Sequence, residues 1–369
     1  MKRIFGLMFS LLAAVLLVGC AQKTTAAPAA AEKVAMITDY GDITDQSFNQ
    51  ATYEGCKSWC EANGVQFKYY RPAGNTTADR VSSCEQAIEA GYTILVMPGF
   101  AFAGTIEEVA GPNPDIKIIA LDVSAGDFSQ GYQLPSNVYC AVYQEEIAGF
   151  LAGYAAVKEG YTKLGFLGGM AVPAVVRYGQ GFVQGADKAA NGQPIEIKYC
   201  YGGQFFGDAA VTARMTTWYS TGTEVVFACG GGIYTSACEA AVVAGESKKV
   251  IGVDVDQSYT INADYGAGRC ITSAMKGLSA TVQAQLKKAI TDKNFQSKIE
   301  TLGLVSGTDP LQNFVQLPTA SWSMTRFTQD NYKALVASLF NGEITVSNSI
   351  TEHAAVNANT TVDYQADIH

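Results

Sequence analysis

The sequence predicts an α/β fold of two similar lobes, each built on a parallel sheet with a ligand cleft between them. Short apolar, β-branched runs alternate with segments of helical period, a pattern typical of βα units. The runs of the first half recur in the second half at offsets of 130, 130, 131, 133 and 133 residues. With 369 residues, 48% of them hydrophobic, the chain is long enough for two cores.

Ten strands are expected in chain order, five in each lobe. Those of the first lobe begin near Val34, Val65, Ile94, Lys117 and Val138. Those of the second lobe begin near Leu164, Ile195, Val225, Val250 and Ile271. The first lobe is expected to span residues 34–140 with a return segment at about 272–322, and the second 141–271 with a C-terminal part at about 323–369.

Three intervening segments have clear helical spacing. The first follows Asp45, which is a candidate N-terminal cap, and Gly64 supplies its stop. Its apolar face is formed by Phe48, Thr52, Cys56 and Trp59. A second helix is expected over Glu145–Glu159 and a third over about Arg326–Phe340.

The N-terminal segment has the pattern of a secretory signal. Lys2 and Arg3 precede an apolar run, and the run ends in Leu-Val-Gly-Cys, which resembles a bacterial lipobox with Cys20 as the lipidated residue. We therefore expect a signal peptide over 1–19, a lipidated tether over 20–33, and a protein anchored to the cell membrane on its extracytoplasmic side. An uncleaved membrane anchor is the alternative.

Eight further cysteines follow Cys20. An even number in an exported protein permits disulfides, but the spacing gives no pairing. Cys140, Cys200 and Cys229 lie in apolar strand-like runs, where a small buried thiol is the commoner explanation.

Composition and motifs argue against several function classes. The formal charge of −9 disfavours a nucleic-acid partner, and the only two histidines are His353 and His369. Neither GxSxG nor HExxH occurs, and the SxxK pattern at Ser273–Lys276 lacks its companion motifs. The sequence therefore predicts no enzyme, no metal site and no cofactor.

Charged, aromatic and glycine residues follow the expected strands in both lobes, at the edge where parallel sheets bind ligands. They are Asp39, Gly99, Phe100 and Asp122 in the first lobe, and Gly168, Gly169, Phe205, Phe206, Gly230 to Gly232, Asp254 and Lys276 in the second. Carboxylates accept hydrogen bonds from hydroxyl or N–H groups, and aromatic rings stack on a planar face. A sugar and a nucleoside both fit this chemistry, while helix capping is the alternative role for each aspartate.

Five segments in register resemble the basic membrane protein (BMP) family. They include ITDYGDITDQSFNQATYEG at Ile37–Gly55, LGGMAVPAVVRYGQGFVQG, and VIGVDVDQ followed by ITSAMKG, and the resemblance covers roughly Val34–Gly277. The family consists of lipoproteins that serve as substrate-binding subunits of ABC importers. The resemblance implies a type I periplasmic-binding-protein fold and a purine nucleoside ligand.

The resemblance also implies which residues meet the base. Asp39 corresponds to the acid at the base edge, and Asn137 to an asparagine that helps to read it. Phe48 and Phe206 correspond to the two rings of the base sandwich, and Asp122 to a second polar contact from the first lobe. Core packing is the alternative for Phe48.

The sugar contacts come mostly from the second lobe in this resemblance. Asp254 corresponds to the ribose-binding carboxylate and Lys276 to the lysine beside the sugar hydroxyls. Asn49 and Gly231 complete the expected ligand-binding set. A solvated charge is the alternative for Lys276, a helix start with close backbone approach is the alternative for Gly231, and Phe205 is the alternative to its neighbour as the second ring.

The expected function is that of a lipid-anchored receptor that passes purine nucleosides of the inosine, guanosine and adenosine class to an ABC permease and its ATPase. A sugar or signalling-molecule receptor on the same fold is one alternative. A surface lipoprotein with no part in transport is another.

Overall fold

The computed structural model describes residues 32–39 and 41–369, and residues 32–369 form one unit. The expected signal peptide, Cys20 and nearly all of the tether lie outside the described residues. In the described part of the chain, no helix is both long and apolar enough to span a membrane.

The first lobe contains a parallel sheet of six strands. They are β1 (Lys33–Ile37), β2 (Gln66–Tyr70), β3 (Ile94–Pro98), β4 (Lys117–Leu121), β5 (Val138–Tyr143) and β11 (Lys298–Leu302). Their order across the sheet is β2-β1-β3-β4-β5-β11. The three central strands are almost fully buried because helices cover both faces, as expected for a parallel sheet.

The second lobe repeats this order and extends it at both edges. Its strands are β6 (Lys163–Gly168), β7 (Ile195–Tyr201), β8 (Val225–Cys229), β9 (Lys249–Asp254), β10 (Cys270–Lys276), β12 (Val315–Gln316) and β13 (Thr360–Tyr364). The order is β13-β7-β6-β8-β9-β10-β12, with only β12 antiparallel among the pairs of both described sheets. Each of the ten expected strands begins within one residue of its expected start, so the two-lobed α/β prediction is confirmed.

Helices connect the strands. They are α1 (Phe48–Asn63), α2 (Thr77–Glu89), α3 (Ala103–Val109), α4 (Glu145–Glu159), α5 (Pro173–Ala190), α6 (Ala209–Ser220), α7 (Tyr234–Ala244), α8 (Ser258–Tyr265), α9 (Leu278–Leu286) and α10 (Gln329–Phe340). Short 3-10 turns lie at Phe100–Phe102, Ala125–Asp127 and Pro310–Gln312, and a π turn at Lys287–Thr291 follows α9.

The expected helix boundaries are explained by local capping. The carboxylate of Asp45 accepts hydrogen bonds from the amides of Ser47, Asn49 and Gln50, so it caps α1 from two residues upstream of the cap position. Gly64 ends α1 in the left-handed conformation, with φ of 66°. The last helix starts later than expected because the side chain of Thr328 forms a capping box.

The lobes exchange chain at residues slightly different from the expected ones. The first crossing follows Tyr143 at the end of β5, and the second follows Lys276 at the end of β10. The third lies between β11 and β12, upstream of residue 315. At the first two crossings the chain leaves its sheet late because β5 is paired through Tyr143 with β11 and β10 is paired through Lys276 with β12.

Helices α4 and α5 pack with their backbones in close contact. A Cβ atom at Gly153 would lie 2.1 Å from the carbonyl oxygen of Phe182, and one at Gly181 would lie 2.1 Å from that of Glu146. Only glycine fits at such a crossing. The packing brings the first turns of the two helices together beside the carboxyl end of β10.

All eight cysteines of the described part are buried free thiols. Burial raises the pKa of the Cys229 thiol well above its ordinary value, with Asp254 adding to the shift. These cysteines therefore pack as small apolar side chains.

Candidate functional site

A cavity of about 630 Å³ lies between the lobes at the carboxyl ends of both sheets. Eight of the nine expected ligand-binding residues line it. They are Asp39, Phe48, Asn49, Asp122, Phe206, Gly231, Asp254 and Lys276. Its size is within the range of small-molecule sites.

Lys276 is the centre of a buried charge cluster that joins the two lobes. Its Nζ lies 2.6 Å from Asp122 Oδ2, 3.7 Å from Asp254 Oδ1 and 3.6 Å from Glu145 Oε1. The side chain is only 3% exposed, which excludes a solvated surface charge. Burial alone would lower the pKa of Lys276, but the three carboxylates outweigh it and hold the pKa above its ordinary value.

Asp122 directly follows β4 and Asp254 is the last residue of β9, so the two aspartates lie at the carboxyl end of the fourth strand of each lobe. Both have left-handed backbones, with φ of 58° and 66°, a conformation that costs roughly 1–2 kcal/mol for a residue with a side chain. At Asp254 the turn is closed by the amide of Val255, which donates to the carbonyl of Val253 at 2.7 Å. The cap positions of the next helical turns are Ser124 and Gln257, so neither aspartate has the alternative capping role.

Asp254 also bonds across the cleft. The Oγ of Ser47 in the first lobe donates to Asp254 Oδ2 at 2.6 Å. Burial raises the pKa of Asp254 to about 6, although the Lys276 charge and the Ser47 hydrogen bond act in the opposite direction. The Asp254 carboxylate therefore connects the two lobes.

A second polar group is formed by Asp39 and Asn49. Asp39 Oδ1 accepts from Asn49 Nδ2 at 3.1 Å and from the amide of Gly41 at 3.1 Å. Gly99, with φ of 125°, lies so close to Asp39 that a Cβ added to it would be 2.1 Å from Asp39 Oδ2. Burial raises the pKa of Asp39 to about 6, against the opposing effect of these hydrogen bonds.

Among the residues that the structure describes, three buried polar atoms of residues that line the cavity have no hydrogen-bond partner. They are Asn49 Oδ1, Asp122 Oδ1 and the Tyr178 hydroxyl. A buried polar atom without a partner costs about 1–3 kcal/mol, so such atoms are rare unless a ligand or water satisfies them. Their position indicates a polar ligand.

Aromatic rings from both lobes complete the walls. Phe48 opens α1 and packs partly against the core, while Lys276 Nζ lies 4.7 Å from its ring centroid. Phe205 packs against Gly169, and its neighbour Phe206 is 59% exposed. Both rings of this pair line the cavity, but Phe206 is the one not packed against the core.

Gly231 contributes backbone rather than a side chain. Its φ is 52°, and a Cβ there would lie 2.8 Å from the carbonyl oxygen of Phe205. The glycine run thus lets the loop after β8 lie against the loop after β7.

The expected role of Asn137 is wrong. Asn137 lies just before β5, at the amino edge of the first sheet, and does not line the cavity. Its Nδ2 donates to the carbonyls of Ala110, Asn113 and Ile116. The residue ties two loops together at the edge opposite to the one where parallel sheets bind ligands.

Sequence reasoning missed Glu145 and Arg177. Glu145 begins α4 and is fully buried, and its Oε2 accepts from Arg177 Nε of α5 at 2.7 Å. Burial raises the pKa of Glu145, while Arg177 and Lys276 act to lower it. Two adjacent acids before the long apolar stretch of α4 were the available signal. Through Glu145, Arg177 balances part of the charge around Lys276.

Within residues 32–39 and 41–369, no group of three or more His, Cys, Asp or Glu side chains is arranged to hold a metal ion. The carboxylates of the ionic cluster instead surround the ammonium group of Lys276. Its chemistry is that of hydrogen bonding to a polar ligand.

Comparison with known proteins gives a consistent result. The family model Bmp, described as ABC transporter substrate-binding protein PnrA-like, matches residues 32–308. The ABC transporter nucleoside-binding protein BmpA of Lactococcus lactis subsp. cremoris (strain MG1363) is 31% identical over 238 residues, which cover 62% of this chain and 65% of that protein, just under two thirds of it. Basic membrane protein A1 of Borrelia garinii subsp. bavariensis is 28% identical over 277 residues, covering 74% of this chain and 78% of that protein.

Solved structures support the fold. An ABC transporter solute-binding protein from Aeropyrum pernix K1 aligns with a TM-score of 0.66 at 20% identity, covering 85% of this chain and 87% of that one. One from Conexibacter woesei DSM 14684 aligns with the same score at 22% identity, covering 86% and 99%. The family model covers more than half of the chain, so the resemblance to the BMP family is confirmed and the chain belongs to the PnrA-like family of ABC transporter substrate-binding proteins.

Proposed function

We propose that this protein captures a purine nucleoside between its lobes and delivers it to an ABC permease driven by an ATPase. The observation that carries the proposal is the interlobe cavity, which combines carboxylates of both lobes with aromatic rings of both lobes. A nucleoside has one part for each, because ribose hydroxyls donate hydrogen bonds and the base offers a flat face. The Lactococcus relative is named a nucleoside-binding protein, which supports the same ligand class.

In this proposal the ribose meets the cluster around Lys276. Asp254 and Asp122 accept from hydroxyl groups, and Lys276 donates to a hydroxyl oxygen. The unpartnered Asp122 Oδ1 is available for such a bond. Glu145 and Arg177 hold the cluster in place from behind.

The base lies between Phe48 and Phe206, one from each lobe. Asp39 and Asn49 face its polar edge, where the unpartnered Asn49 Oδ1 accepts from an N–H group. The Gly231 backbone allows close approach on the second-lobe side.

A neutral nucleoside suits the charges better than a nucleotide. The cavity is lined by five carboxylates, those of Asp39, Asp42, Asp45, Asp122 and Asp254, and by two cations, Arg71 and Lys276. A phosphate group would be repelled by this excess of negative charge.

Closure of the lobes over the ligand is expected to create the form that the permease recognises. The cross-lobe bonds are consistent with a closed state, since Lys276 bonds to Asp122, Ser47 to Asp254, and the side chain of Gln257 to the carbonyl of Gln46 at 3.0 Å. Segments that connect the two sheets act as the hinge.

We further propose that the protein lies outside the cytoplasm, held to the membrane by lipid on Cys20. Residues 20–33 would be its tether after removal of the signal peptide at residues 1–19. The lipobox-like sequence supports this anchor, and no nucleic-acid partner is expected for an acidic protein of this kind.

Calorimetric titration with inosine, guanosine, adenosine and ribose tests the ligand class. We expect binding of at least one nucleoside with one site per chain, and much weaker binding of ribose because the base contributes stacking. Binding of ribose without binding of any nucleoside would favour a sugar receptor and contradict the proposal.

A further inference from the structure

The segment after β13 runs toward the cavity along the outer edge of the second sheet. The amide of Gln365 donates to the carbonyl of Tyr199, and the amide of Ile368 donates to that of Tyr201. Two side chains of α6 fix its start, because Trp218 Nε1 donates to Gln365 Oε1 at 2.9 Å and Arg214 Nη1 donates to the same atom at 3.2 Å. This segment lies beyond residues 32–308, which the family model matches.

The segment ends its described path at a carboxylate beside the cavity. His369 Nε2 lies 2.9 Å from Asp208 Oδ2. The backbone and Cβ of His369 lie against Gly203, where an added Cβ would meet them at about 3 Å. Gly203 itself lines the cavity.

Asp208 holds the loop that carries the exposed ring of the cavity wall. Its Oδ2 accepts from Gln204 Nε2 at 2.9 Å, and Gln204 also donates to the carbonyl of Phe206 at 3.2 Å. Its other oxygen, Oδ1, accepts from the amide of Val211 and caps α6. A chain of bonds therefore leads from His369 through Asp208 and Gln204 to Phe206.

Phe206 needs such support because its own contacts are few. Its ring is 59% exposed, and its backbone forms a single bridge with Gly232. The neighbouring Phe205 is packed against the core, so the loop has one fixed and one free aromatic residue.

We propose that His369 and Asp208 are positioning residues that hold the 203–207 loop over the cavity and so slow the release of the ligand. This inference rests on the proposed function, in which Phe206 covers one face of the bound base. Neither residue lines the cavity. Fastening the loop lowers the dissociation rate constant of the ligand, because the loop must move before the Phe206 ring can leave the base. It leaves the association rate constant nearly unchanged.

The test compares His369→Ala and Asp208→Ser with His353→Ala. Serine keeps a cap for α6 but is too short to bond both Gln204 and His369. His353 stacks on Tyr364 of β13 at 3.7 Å between ring centroids, so its variant removes a histidine from the same region without touching Asp208. Each of these three substitutions is also made together with Phe206→Ala, which removes the ring that the loop carries.

Hydrogen exchange without ligand measures the fastening of the loop independently of what binds. We expect exchange of the 203–207 amides to rise about two- to fivefold in His369→Ala and Asp208→Ser, the effect of losing one partly exposed hydrogen bond. The His353→Ala variant should leave these amides unchanged. Unchanged exchange in the first two variants would overturn the inference.

Release of the best-binding nucleoside measures the consequence. We expect the dissociation rate constant to rise by a similar factor in His369→Ala, and the effect to vanish in the Phe206→Ala background because the ring has gone. An effect that persists without the ring, or loop exchange that rises with no faster release, would overturn the inference. Absence of nucleoside binding by the wild-type protein would instead reject the proposed function. Hydrogen exchange of the 203–207 amides would then still test whether His369 and Asp208 fasten the loop.

Discussion

At the scale of single residues, the end of the strand at which a side chain lies explains most of the lining of the interlobe cavity. Side chains at the carboxyl ends of parallel strands converge, which is why Asp39, Asp122 and Asp254 reach one cavity. Asn137 was assigned from the family resemblance, although it precedes its strand and thus lies at the opposite edge. Glu145 was missed because pairing with Arg177 depends on helix packing that the sequence does not state.

Asp254→Asn tests the residue at the centre of the proposed ribose contact. Loss of a buried charge-assisted contact should weaken nucleoside affinity by about 2–5 kcal/mol, which calorimetry measures directly. Asp256→Asn is the matched control, because within residues 32–39 and 41–369 the Asp256 carboxylate accepts hydrogen bonds only from Ser258, and Asp256 does not line the cavity. Equal affinities for the two variants would remove Asp254 from the site.

Affinity should also depend on pH through the same carboxyls. The pKa values of Asp39 and Asp254 are raised to about 6 by burial, and ligand hydroxyl and N–H donors favour the ionised form. We therefore expect nucleoside affinity to rise by about tenfold per group between pH 5 and 7, with proton release on binding. Titrations at three pH values in buffers of different ionisation enthalpy check this, and a flat profile would contradict it.

The stability of the ligand-free protein should change in the opposite direction. Because the folded-state pKa values of these two acids exceed the ordinary value of 3.8, the folded protein binds more protons than the unfolded chain between about pH 4 and 6. Their contribution to the free energy of unfolding therefore falls as the pH rises through that window.

At the scale of elements, prediction succeeded where pattern and burial agree. Helix α4 has the expected bounds, and all ten main strands were expected. Strands β11, β12 and β13 were not, because β11 is a half-buried edge strand of sequence KIETL, β12 has two residues and β13 is partly exposed. Edge strands lack the continuous apolar run that identifies the buried ones.

The α4–α5 crossing gives a prediction at this scale. Gly153→Val should lower the free energy of unfolding by at least about 1–3 kcal/mol, because the new side chain meets the backbone of Phe182, which has no room to shift. Gly104→Ala in α3 is the control, since its Cβ would make only ordinary contact with Thr77. Denaturant unfolding monitored by circular dichroism measures both, and an unchanged Gly153→Val stability would contradict the close packing.

At the scale of the whole molecule, one ion cluster joins the two lobes. Lys276 ends a strand of the second sheet and bonds to Asp122, which follows a strand of the first. The repeated lobe is visible in the sequence because the strands of the second half follow those of the first at nearly constant offsets. The contact between the lobes is not visible there, because it joins the side chains of Lys276 and Asp122, which are 154 residues apart.

Lys276→Met should cost about 3–5 kcal/mol in the free energy of unfolding, because it leaves buried carboxylates without their cation. Lys163→Met is the matched control: Lys163 forms an exposed pair with Glu196 at 4.0 Å, which contributes about 0–1 kcal/mol. Denaturant titration of both variants decides the matter. Similar stabilities would mean that the cluster does not hold the lobes together.

The most direct measurement is a crystal structure of the protein grown with whichever of inosine, guanosine and adenosine binds best in the titration. We expect one molecule in the interlobe cavity, with its base between Phe48 and Phe206 and its ribose hydroxyls within hydrogen-bond distance of Asp254 and Lys276. A cavity without nucleoside at saturating concentration, or a nucleoside bound away from these four side chains, would contradict the account.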